Sequence, residues 1–184
     1  MSVVTTPREQ LLQIIRDQAI VHGQVTLSSG AQADYYVDLR RVTLDGVAGP
    51  LVGQVMLDQL QDLEFDAVGG LTMGADPVAT AMLHAAAARG QALDAFVVRK
   101  AGKAHGLQQR IEGPSIKGRR VVVVEDTSTT GGSPLTAMEA CREEGAEVVA
   151  VAVIADRAKD AQARITEAGL PYLAAYSLSD LGLA

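Results

Sequence analysis

The chain has 184 residues, of which 48% are hydrophobic, so it is long enough for one compact domain with a sizeable core. Its net charge of -6 makes it a poor general binder of nucleic acid, which requires a basic surface. With a single cysteine, Cys141, the chain cannot form a disulfide within itself. No apolar run is close to the roughly 18 residues of a membrane span, and the N-terminus lacks the layout of a secretory signal. We therefore expect a cytoplasmic protein.

The first predicted element is a helix that begins after Thr6 and ends at Gly23. Thr6 and Glu9 fit a capping box, and Pro7 suits the first helical position. Two short extended runs then predict a small hairpin, at 24–27 and 35–39. We expect this N-terminal part to be an appendage to the main domain.

From Gly46 onward, apolar runs alternate with helical patterns. The predicted helices cover 51–63, 77–89, 134–144 and 159–168. The predicted strands cover 67–71, 95–98, 121–124, 148–154 and 172–176. Strands of nearly continuous valine and isoleucine between helices indicate a mostly parallel sheet with both faces covered, and we expect Cys141 to fill a helix face in the core. Because such sheets bind ligands at the carboxyl ends of their strands, we single out the loops at 72–76, 99–113 and 126–132.

The segment from Val121 to Ser133 carries the clearest chemical pattern. A strand of four valines runs into Glu125 and Asp126, and a stretch rich in hydroxyls and glycine follows: Thr127, Ser128, Thr129, Thr130, Gly131, Gly132 and Ser133. The stretch precedes a predicted helix, where unpaired backbone N–H groups and the helix dipole favour a phosphate. Glycine there lets the backbone approach the ligand closely.

The two acids call for a different partner, since carboxylates repel phosphate. Ribose hydroxyls are good hydrogen-bond donors to carboxylates, so the whole segment predicts a grip for a ribose 5-phosphate. It matches neither the Walker P-loop nor the glycine pattern of dinucleotide-binding folds. The alternative is an ordinary loop and helix cap.

A second polar cluster follows the strand at 95–98. It contains Arg99, Lys100, Lys103 and His105, and Gly102, Gly106 and Gly113 punctuate the same stretch. Three cations and a histidine suit a diphosphate leaving group, and a closing loop would keep water from a reactive ribosyl cation. An ordinary solvated basic loop is the alternative.

These motifs carry a family resemblance. The segment from Val121 to Ser133 resembles the signature of type I phosphoribosyltransferases, which use 5-phosphoribosyl 1-diphosphate (PRPP) as ribosyl donor. The Arg-Lys-x-x-Lys-x-His pattern resembles the catalytic loop of the orotate phosphoribosyltransferase family. The stretch 26–30 with Tyr35 and Tyr36 is similar to that family's N-terminal hood motif, and Ala155-Asp156-Arg157 to its base-binding arginine. The chain is most similar to the actinobacterial branch, over nearly its whole length.

The resemblance implies the α/β fold of type I phosphoribosyltransferases, with a mostly parallel central sheet flanked by helices and a small N-terminal hood. Residues 1–184 would then form a single domain, with the N-terminal helix and hood at 1–45 and the core at 46–184. The implied reaction transfers ribose 5-phosphate from PRPP to orotate, giving orotidine 5′-monophosphate and diphosphate in pyrimidine biosynthesis. Mg²⁺ would be held mainly by PRPP and water, and the enzyme would be a homodimer with shared active sites and no nucleic-acid or membrane partner.

The resemblance also assigns roles to residues. It implies that the diphosphate is contacted by the catalytic set Arg99, Lys100, Lys103 and His105, the last two on a moving loop. Glu125 and Asp126 would hold the ribose hydroxyls, and residues 127–133 the 5-phosphate. Thr129 and Arg157 would contact orotate, whose carboxylate suits the planar fork of an arginine.

Three positions and two rival functions remain open. Ser28 and Met73 stand where some relatives of the pattern carry lysine, and Asp76 either caps the helix that begins at Pro77, which we favour, or helps to hold Mg²⁺ through water. One rival function is transfer to another base, such as a purine. The other is a PRPP-sensing regulator without catalysis, against which the acidic charge and the absence of room for a separate DNA-binding domain argue.

Overall fold

The computed structural model describes residues 5–26, 32–100, 110–158 and 160–183. The helices are α1 (Pro7–Ile14), α2 (Arg40–Thr43), α3 (Ala48–Asp58), α4 (Ala75–Ala88), α5 (Gly132–Glu143) and α6 (Asp160–Glu167). The strands are β1 (Ile20–Thr26), β2 (Gln32–Val37), β3 (Ala67–Leu71), β4 (Asp94–Val98), β5 (Ile111–Glu112), β6 (Arg120–Ser128), β7 (Glu147–Asp156) and β8 (Tyr172–Tyr176). Across these described ranges, none of the helices is long and apolar enough to cross a membrane.

Six strands form the central sheet, in the order β5-β4-β3-β6-β7-β8. The strands β3, β4, β6, β7 and β8 run parallel, and β5 lies antiparallel beside β4. The valines of β6 are buried on both faces. Val122 and Val124 join a hydrophobic cluster with α3 and α4, whereas Val121 and Val123 join another with α5. This arrangement confirms the predicted α/β class with a mostly parallel, doubly covered sheet.

The expected burial of Cys141 on a helix face is confirmed. Cys141 lies on α5 within the second cluster and has no exposed surface. Burial raises the pKa of its thiol to about 12, so the reactive thiolate is scarce at neutral pH. Cys141 is therefore a core residue rather than a nucleophile.

The N-terminal helix begins as predicted but ends earlier. Thr6 and Glu9 form the capping box, with Glu9 N donating to Thr6 Oγ1 over 3.2 Å and Thr6 N donating to Glu9 Oε2 over 2.8 Å. The predicted end at Gly23 is wrong, because a π-helical turn at Ile15–Ala19 leads directly into β1. Gly23 lies inside β1 with φ 140°, next to an irregularity in the pairing with β2, so it permits a bulge. The predicted hairpin itself is confirmed.

Several core elements have the predicted bounds, and others differ for identifiable reasons. β3 and β8 are as predicted, whereas β6 continues four residues beyond its predicted end at Val124. The cause is the long neighbour β7, which pairs Val153 with Glu125 and Asp156 with Ser128. The two acids therefore lie on the strand, not in the loop after it.

The N-terminal helix and the core share one hydrophobic cluster. Leu11 and Ile15 are fully buried in the cluster that contains Val52 of α3. At the far edge of the sheet, the guanidinium of Arg8 lies 4.9 Å from the ring centroid of Tyr176, and Tyr176 Oη donates to Arg8 O over 2.8 Å. These contacts hold α1 against the core domain.

Candidate active site

A polar cavity of about 270 Å³ lies at the carboxyl ends of β3 and β6. It is lined by the end of β2 and the start of α2, by the loop after β3, by Lys100, and by β6 with the start of α5. The lining residues are Tyr36, Val37, Asp38, Arg40, Leu71, Thr72, Met73, Gly74, Lys100, Glu125, Asp126, Thr127 and Ser133. The cavity therefore brings together residues from all three of the loops that the sequence singled out.

The acid pair is the electrostatic centre of this cavity. Glu125 is only 5% exposed, and burial together with the carboxylate of Asp126 raises its pKa to about 8. Burial also raises the pKa of Asp126, while backbone and side-chain hydrogen bonds and the nearby Arg40 act against that rise. Two adjacent carboxylates in a low-dielectric site disfavour their own ionised forms. A ligand whose hydroxyls donated hydrogen bonds to the two carboxylates would stabilise their ionised forms.

The loop after β3 packs directly on the acid pair. A Cβ at Gly74 would lie 2.2 Å from Glu125 Oε1, so the close approach of the backbone requires glycine at this position. The peptide bond between Thr72 and Met73 is cis.

Asp76 does not cap the helix in the way that we favoured. α4 begins at Ala75, which places Asp76 inside its first turn, and the side chain accepts a hydrogen bond from Thr72 Oγ1 over 2.7 Å. Its other oxygen, Oδ1, is buried and has no hydrogen-bond partner within the described residues. Asp76 therefore ties the loop to the helix and contributes a third carboxylate near Glu125, whose pKa it helps to raise.

The predicted phosphate loop is short and leads straight into a helix. β6 ends at Ser128 and α5 begins at Gly132, with Gly131 as the N-cap at φ 73°. No side-chain hydrogen bond from the described residues caps α5, so its N-terminus presents backbone N–H groups to a ligand. Arg164 on α6 steadies the loop, since its Nη1 donates to Thr130 O over 2.6 Å.

The hydroxyls of this segment are not equally placed. Thr127 and Ser133 line the cavity, and Thr129 and Thr130 are exposed on the loop. Ser128 is 4% exposed, so its hydroxyl lies in the protein interior rather than on the open side of the loop. The sequence pattern did not separate Ser128 from its neighbours, because alternation along a strand shows only once the end of β6 is known.

The basic cluster begins at the end of β4. Lys100 lines the cavity, whereas Arg99 pairs with Glu112, with Nη1 3.2 Å from Oε1. β5 lies antiparallel beside β4, and Arg99 N donates to Arg110 O over 2.8 Å, so Arg99 and Arg110 are neighbours at this end of the sheet. Lys103 and His105 lie outside the described residues.

The base-binding arginine of the pattern follows β7. The guanidinium of Arg157 is 5.7 Å from the centroid of the Tyr36 ring, within reach of a cation–π contact. Tyr36 Oη in turn lies 3.4 Å from Arg40 Nη2. Sequence reasoning missed Asp38 and Arg40 of this cavity. The only available signal was a charged cluster directly after an extended run, which does not reveal which side chain turns inward.

Comparison with known proteins identifies the family. The model of the phosphoribosyl transferase domain matches residues 51–167. An orotate phosphoribosyltransferase of Streptomyces coelicolor is 74% identical over 181 residues, which cover 98% of this chain and 100% of that protein. The chain belongs to the orotate phosphoribosyltransferase family. Both the family and the actinobacterial likeness that the motifs predicted are thereby confirmed.

Solved structures of the orotate phosphoribosyltransferase family agree with this fold. The Mycobacterium tuberculosis orotate phosphoribosyltransferase in complex with Fe(III) dicitrate is 53% identical with a TM-score of 0.88, covering 97% of this chain and 100% of that one. The same enzyme in complex with PRPP is 48% identical with a TM-score of 0.85, at the same coverage. The predicted type I phosphoribosyltransferase fold is confirmed.

Proposed function

We propose that this protein transfers the 5-phosphoribosyl group of PRPP to orotate, giving orotidine 5′-monophosphate and diphosphate in pyrimidine biosynthesis. The observation that carries the proposal is the single cavity lined by Lys100, Asp126 and Ser133. A cation, an acid pair and a helix N-terminus meet there as a diphosphate, a ribose and a phosphate would require. The full-length likeness to orotate phosphoribosyltransferases supports orotate as the acceptor.

On the donor side, the protein holds PRPP by its ribose and its 5-phosphate. Glu125 and Asp126 accept hydrogen bonds from the ribose hydroxyls, which relieves the unfavourable burial of the two carboxylates. The 5-phosphate takes the N-terminus of α5 and the segment 127–133, where the backbone N–H groups and the hydroxyls of Thr129, Thr130 and Ser133 donate to it. Residues on a rigid strand and helix fix the reacting carbon in place.

The reaction breaks the C1–O bond to diphosphate, which leaves with the bonding electron pair. It forms a bond from C1 to the ring nitrogen of orotate, which releases its N–H proton to the solvent. We propose that the charge on the departing diphosphate is stabilised by Arg99 and Lys100 together with Lys103 and His105. Preorganised cations of this kind lower the barrier because they need no reorganisation as the charge develops. Thr129 and Arg157 contact orotate, with the guanidinium fork on its carboxylate.

The chemistry of the donor set fits Mg²⁺. Among the described residues, no group of three or more histidine, cysteine, aspartate or glutamate side chains is arranged to hold a metal ion. The unpartnered Oδ1 of Asp76, close to the acid pair, is a hard oxygen suited to a water molecule of a hydrated cation. We propose that PRPP oxygens and water hold Mg²⁺ beside Asp76. The ion would neutralise the diphosphate.

We propose further that the protein is a homodimer with shared active sites. An apolar groove of about 770 Å³ runs between α2, α3 and α4, where Leu44 and Met73 are 73% and 63% exposed. Because Arg40 and Met73 line both this groove and the polar cavity, a second copy seated in the groove would border the cavity. Exposed apolar surface of this kind is typical of an interface.

Sharing can be tested by mixing two inactive variants. Lys103→Ala protein and Asp126→Asn protein should regain partial activity after their subunits exchange, because one of the two mixed sites then carries both native residues. Mass spectrometry of differently labelled subunits verifies the exchange. Verified exchange without any recovery would contradict shared sites.

Two structural points complete the proposal. We propose that residues 1–184 act as a single phosphoribosyltransferase domain, with a hood at 1–45 on a core at 46–184, supported by the burial of Leu11 and Ile15 in the core cluster. Because PRPP is a polyanion that cannot cross a membrane unaided, we propose the cytoplasm as the place of action.

Incubation with Mg²⁺, PRPP and a panel of bases tests the function. We expect consumption of orotate with release of diphosphate, and no transfer to adenine, guanine or hypoxanthine. Transfer to a purine would support the second enzymatic function, and tight PRPP binding without turnover would support a regulator.

A further inference from the structure

The polar cavity contains a cation that the sequence pattern did not single out. Arg40 begins α2, and its side chain is 41% exposed. It lines the cavity together with Glu125 and Asp126, and it is close enough to Asp126 to lower the pKa of that carboxylate. Arg40 and Lys100 are the two cationic residues among the described lining of this cavity.

The contacts that Arg40 makes with the described residues leave part of its guanidinium available to a ligand. Its Nε lies 3.0 Å from Asp38 Oδ1, and its Nη2 makes a long contact of 3.4 Å with Tyr36 Oη. An arginine has five N–H donors in a planar fork, so one edge can rest on a carboxylate while the other meets phosphate oxygens. Asp38 thus orients the group without using all of its donors.

The charge of the cavity also calls for this cation. Asp38, Glu125 and Asp126 give the described lining three carboxylates. A polyanion entering beside them needs local positive charge, because carboxylates repel phosphate oxygens at short range. Arg40 and Met73 line both this cavity and the apolar groove.

We propose that Arg40 binds the diphosphate of PRPP, with Asp38 holding its guanidinium in position. This inference rests on the proposed function. The ligand is a diphosphate group, either attached to C1 of PRPP or free as the released product. Arg40 acts there together with Lys100, the other cationic residue of the described cavity lining.

The neighbouring Arg41 provides a matched control. Its side chain is 57% exposed, its Nε is 3.9 Å from Asp38 Oδ2, and it is absent from the lining of both the cavity and the groove. Arg40→Met should raise the KM for PRPP by about 10- to 100-fold, the effect of losing one hydrogen bond to a charged group. Arg41→Met should leave that KM unchanged, and the KM for orotate should change much less than the KM for PRPP in both variants.

Moving the cation tests its location. Met73 lines the same two spaces as Arg40, so the double variant Arg40→Met/Met73→Lys should recover part of the lost PRPP affinity. Size-exclusion chromatography and melting curves check that Arg40→Met keeps its fold and assembly. If this variant does not fold, Arg40→Lys is measured in its place. An unchanged KM for PRPP in the folded variant would overturn the proposal.

Calorimetric titration with inorganic diphosphate separates this inference from the function. Suppose that the unmutated protein consumes orotate and that Arg40→Met binds diphosphate with the same affinity as the unmutated protein. Only the proposed role of Arg40 is then contradicted. If no base is consumed, the proposed function fails, and the titration still decides whether Arg40 binds diphosphate. We expect binding to weaken by about 10-fold or more in Arg40→Met and to stay unchanged in Arg41→Met.

Discussion

Charged residues are arranged in opposite ways at the two ends of the parallel strands, which we call the amino edge and the carboxyl edge of the sheet. At the amino edge, opposite charges are paired: Arg119 Nη1 lies 2.6 Å from Asp94 Oδ2, and Arg120 Nη1 lies 2.9 Å from Glu64 Oε2. The backbone N–H of Arg120 also donates to Asp66 Oδ2 over 2.8 Å. Such pairs are complete within the chain and leave little for a ligand to do.

At the carboxyl edge, like charges are crowded instead. Glu125, Asp126 and Asp76 lie close together, and burial raises the pKa of both members of the acid pair. This arrangement costs folding stability, since buried carboxylates disfavour ionisation. The difference teaches that the described charges of the amino edge are paired within the chain, whereas the acid pair of the carboxyl edge is available to the ribose that we propose as its partner. Four predictions can break or sharpen this comparison.

The largest effect is expected from matched substitutions of one aspartate at each edge. Asp126→Asn should lower kcat/KM for PRPP by about 100-fold or more, because the ribose loses a charged acceptor and its orientation. Its thermal stability should stay level or rise, because a neutral amide replaces a carboxylate whose ionised form is disfavoured by burial. Asp94→Asn should leave kcat/KM unchanged and lower the free energy of unfolding by at most about 1 kcal/mol. Similar values of kcat/KM for the two variants would contradict the proposed difference between the edges.

A methyl group at Gly74 should disturb the carboxyl edge through packing. Gly74→Ala brings a Cβ to 2.2 Å from Glu125 Oε1, so either the loop or the carboxylate must move. We expect kcat/KM to fall by about 10- to 100-fold and the free energy of unfolding by about 1–3 kcal/mol.

Gly46→Ala is the control for that change, because a Cβ at Gly46 meets nothing within 4 Å. It should be neutral or slightly stabilising, by up to about 1 kcal/mol. If Gly74→Ala behaved like this control in activity and in melting, the close packing of the loop on the acid pair would be wrong.

The pH dependence of stability should reveal the crowded carboxylates. Because the pKa of Glu125 is raised from 4.5 to about 8, the folded protein binds a proton there more tightly than the unfolded chain does. This contribution to stability is complete below pH 4.5 and is lost as the pH rises toward 8. In ligand-free protein, Glu125→Gln should flatten this fall and raise the Tm at pH 8.5 by about 3–6 °C. Parallel Tm curves for the two proteins across that range would show that Glu125 is ionised throughout.

The smallest effect is expected at the amino edge. The side chain of Glu64 is 93% exposed, so its pair with Arg120 is screened by water. Glu64→Gln should change the free energy of unfolding by about 0.5 kcal/mol or less and leave turnover unchanged. Urea denaturation and steady-state kinetics would detect a larger role, which would mean that the amino edge is coupled to the site.

Much of the fold could be predicted from local patterns. The bounds of β3 and β8 followed from short apolar runs between turn residues, and the burial of Cys141 followed from its place on an apolar helix face. The end of β6 could not be predicted in this way. Its last four residues are polar, and they are extended because β7 supplies hydrogen-bond partners for them.

The same limit applies to the candidate site. The acid pair and the helix N-terminus were visible because adjacent residues carry the chemistry. Arg40 begins the short helix α2 and Asp38 lies two residues before it, and only the tertiary structure shows that both line the cavity with the loop after β3. The structural role of a glycine could not be predicted from sequence either, since Gly23 was predicted to end a helix and instead permits a bulge in β1.

The contact between Arg8 and Tyr176 has a consequence for how the chain acquires its structure. The hydrogen bond from Tyr176 Oη to the backbone of Arg8 joins residues separated by 168 positions in the sequence. During synthesis, α1 emerges from the ribosome long before β8 exists to receive it, so the contact cannot form until almost the whole chain has been made. Contacts of this range slow folding, because a long loop must close before they form. We therefore expect the contact between Arg8 and Tyr176 to form late, after nearly the whole chain has been made.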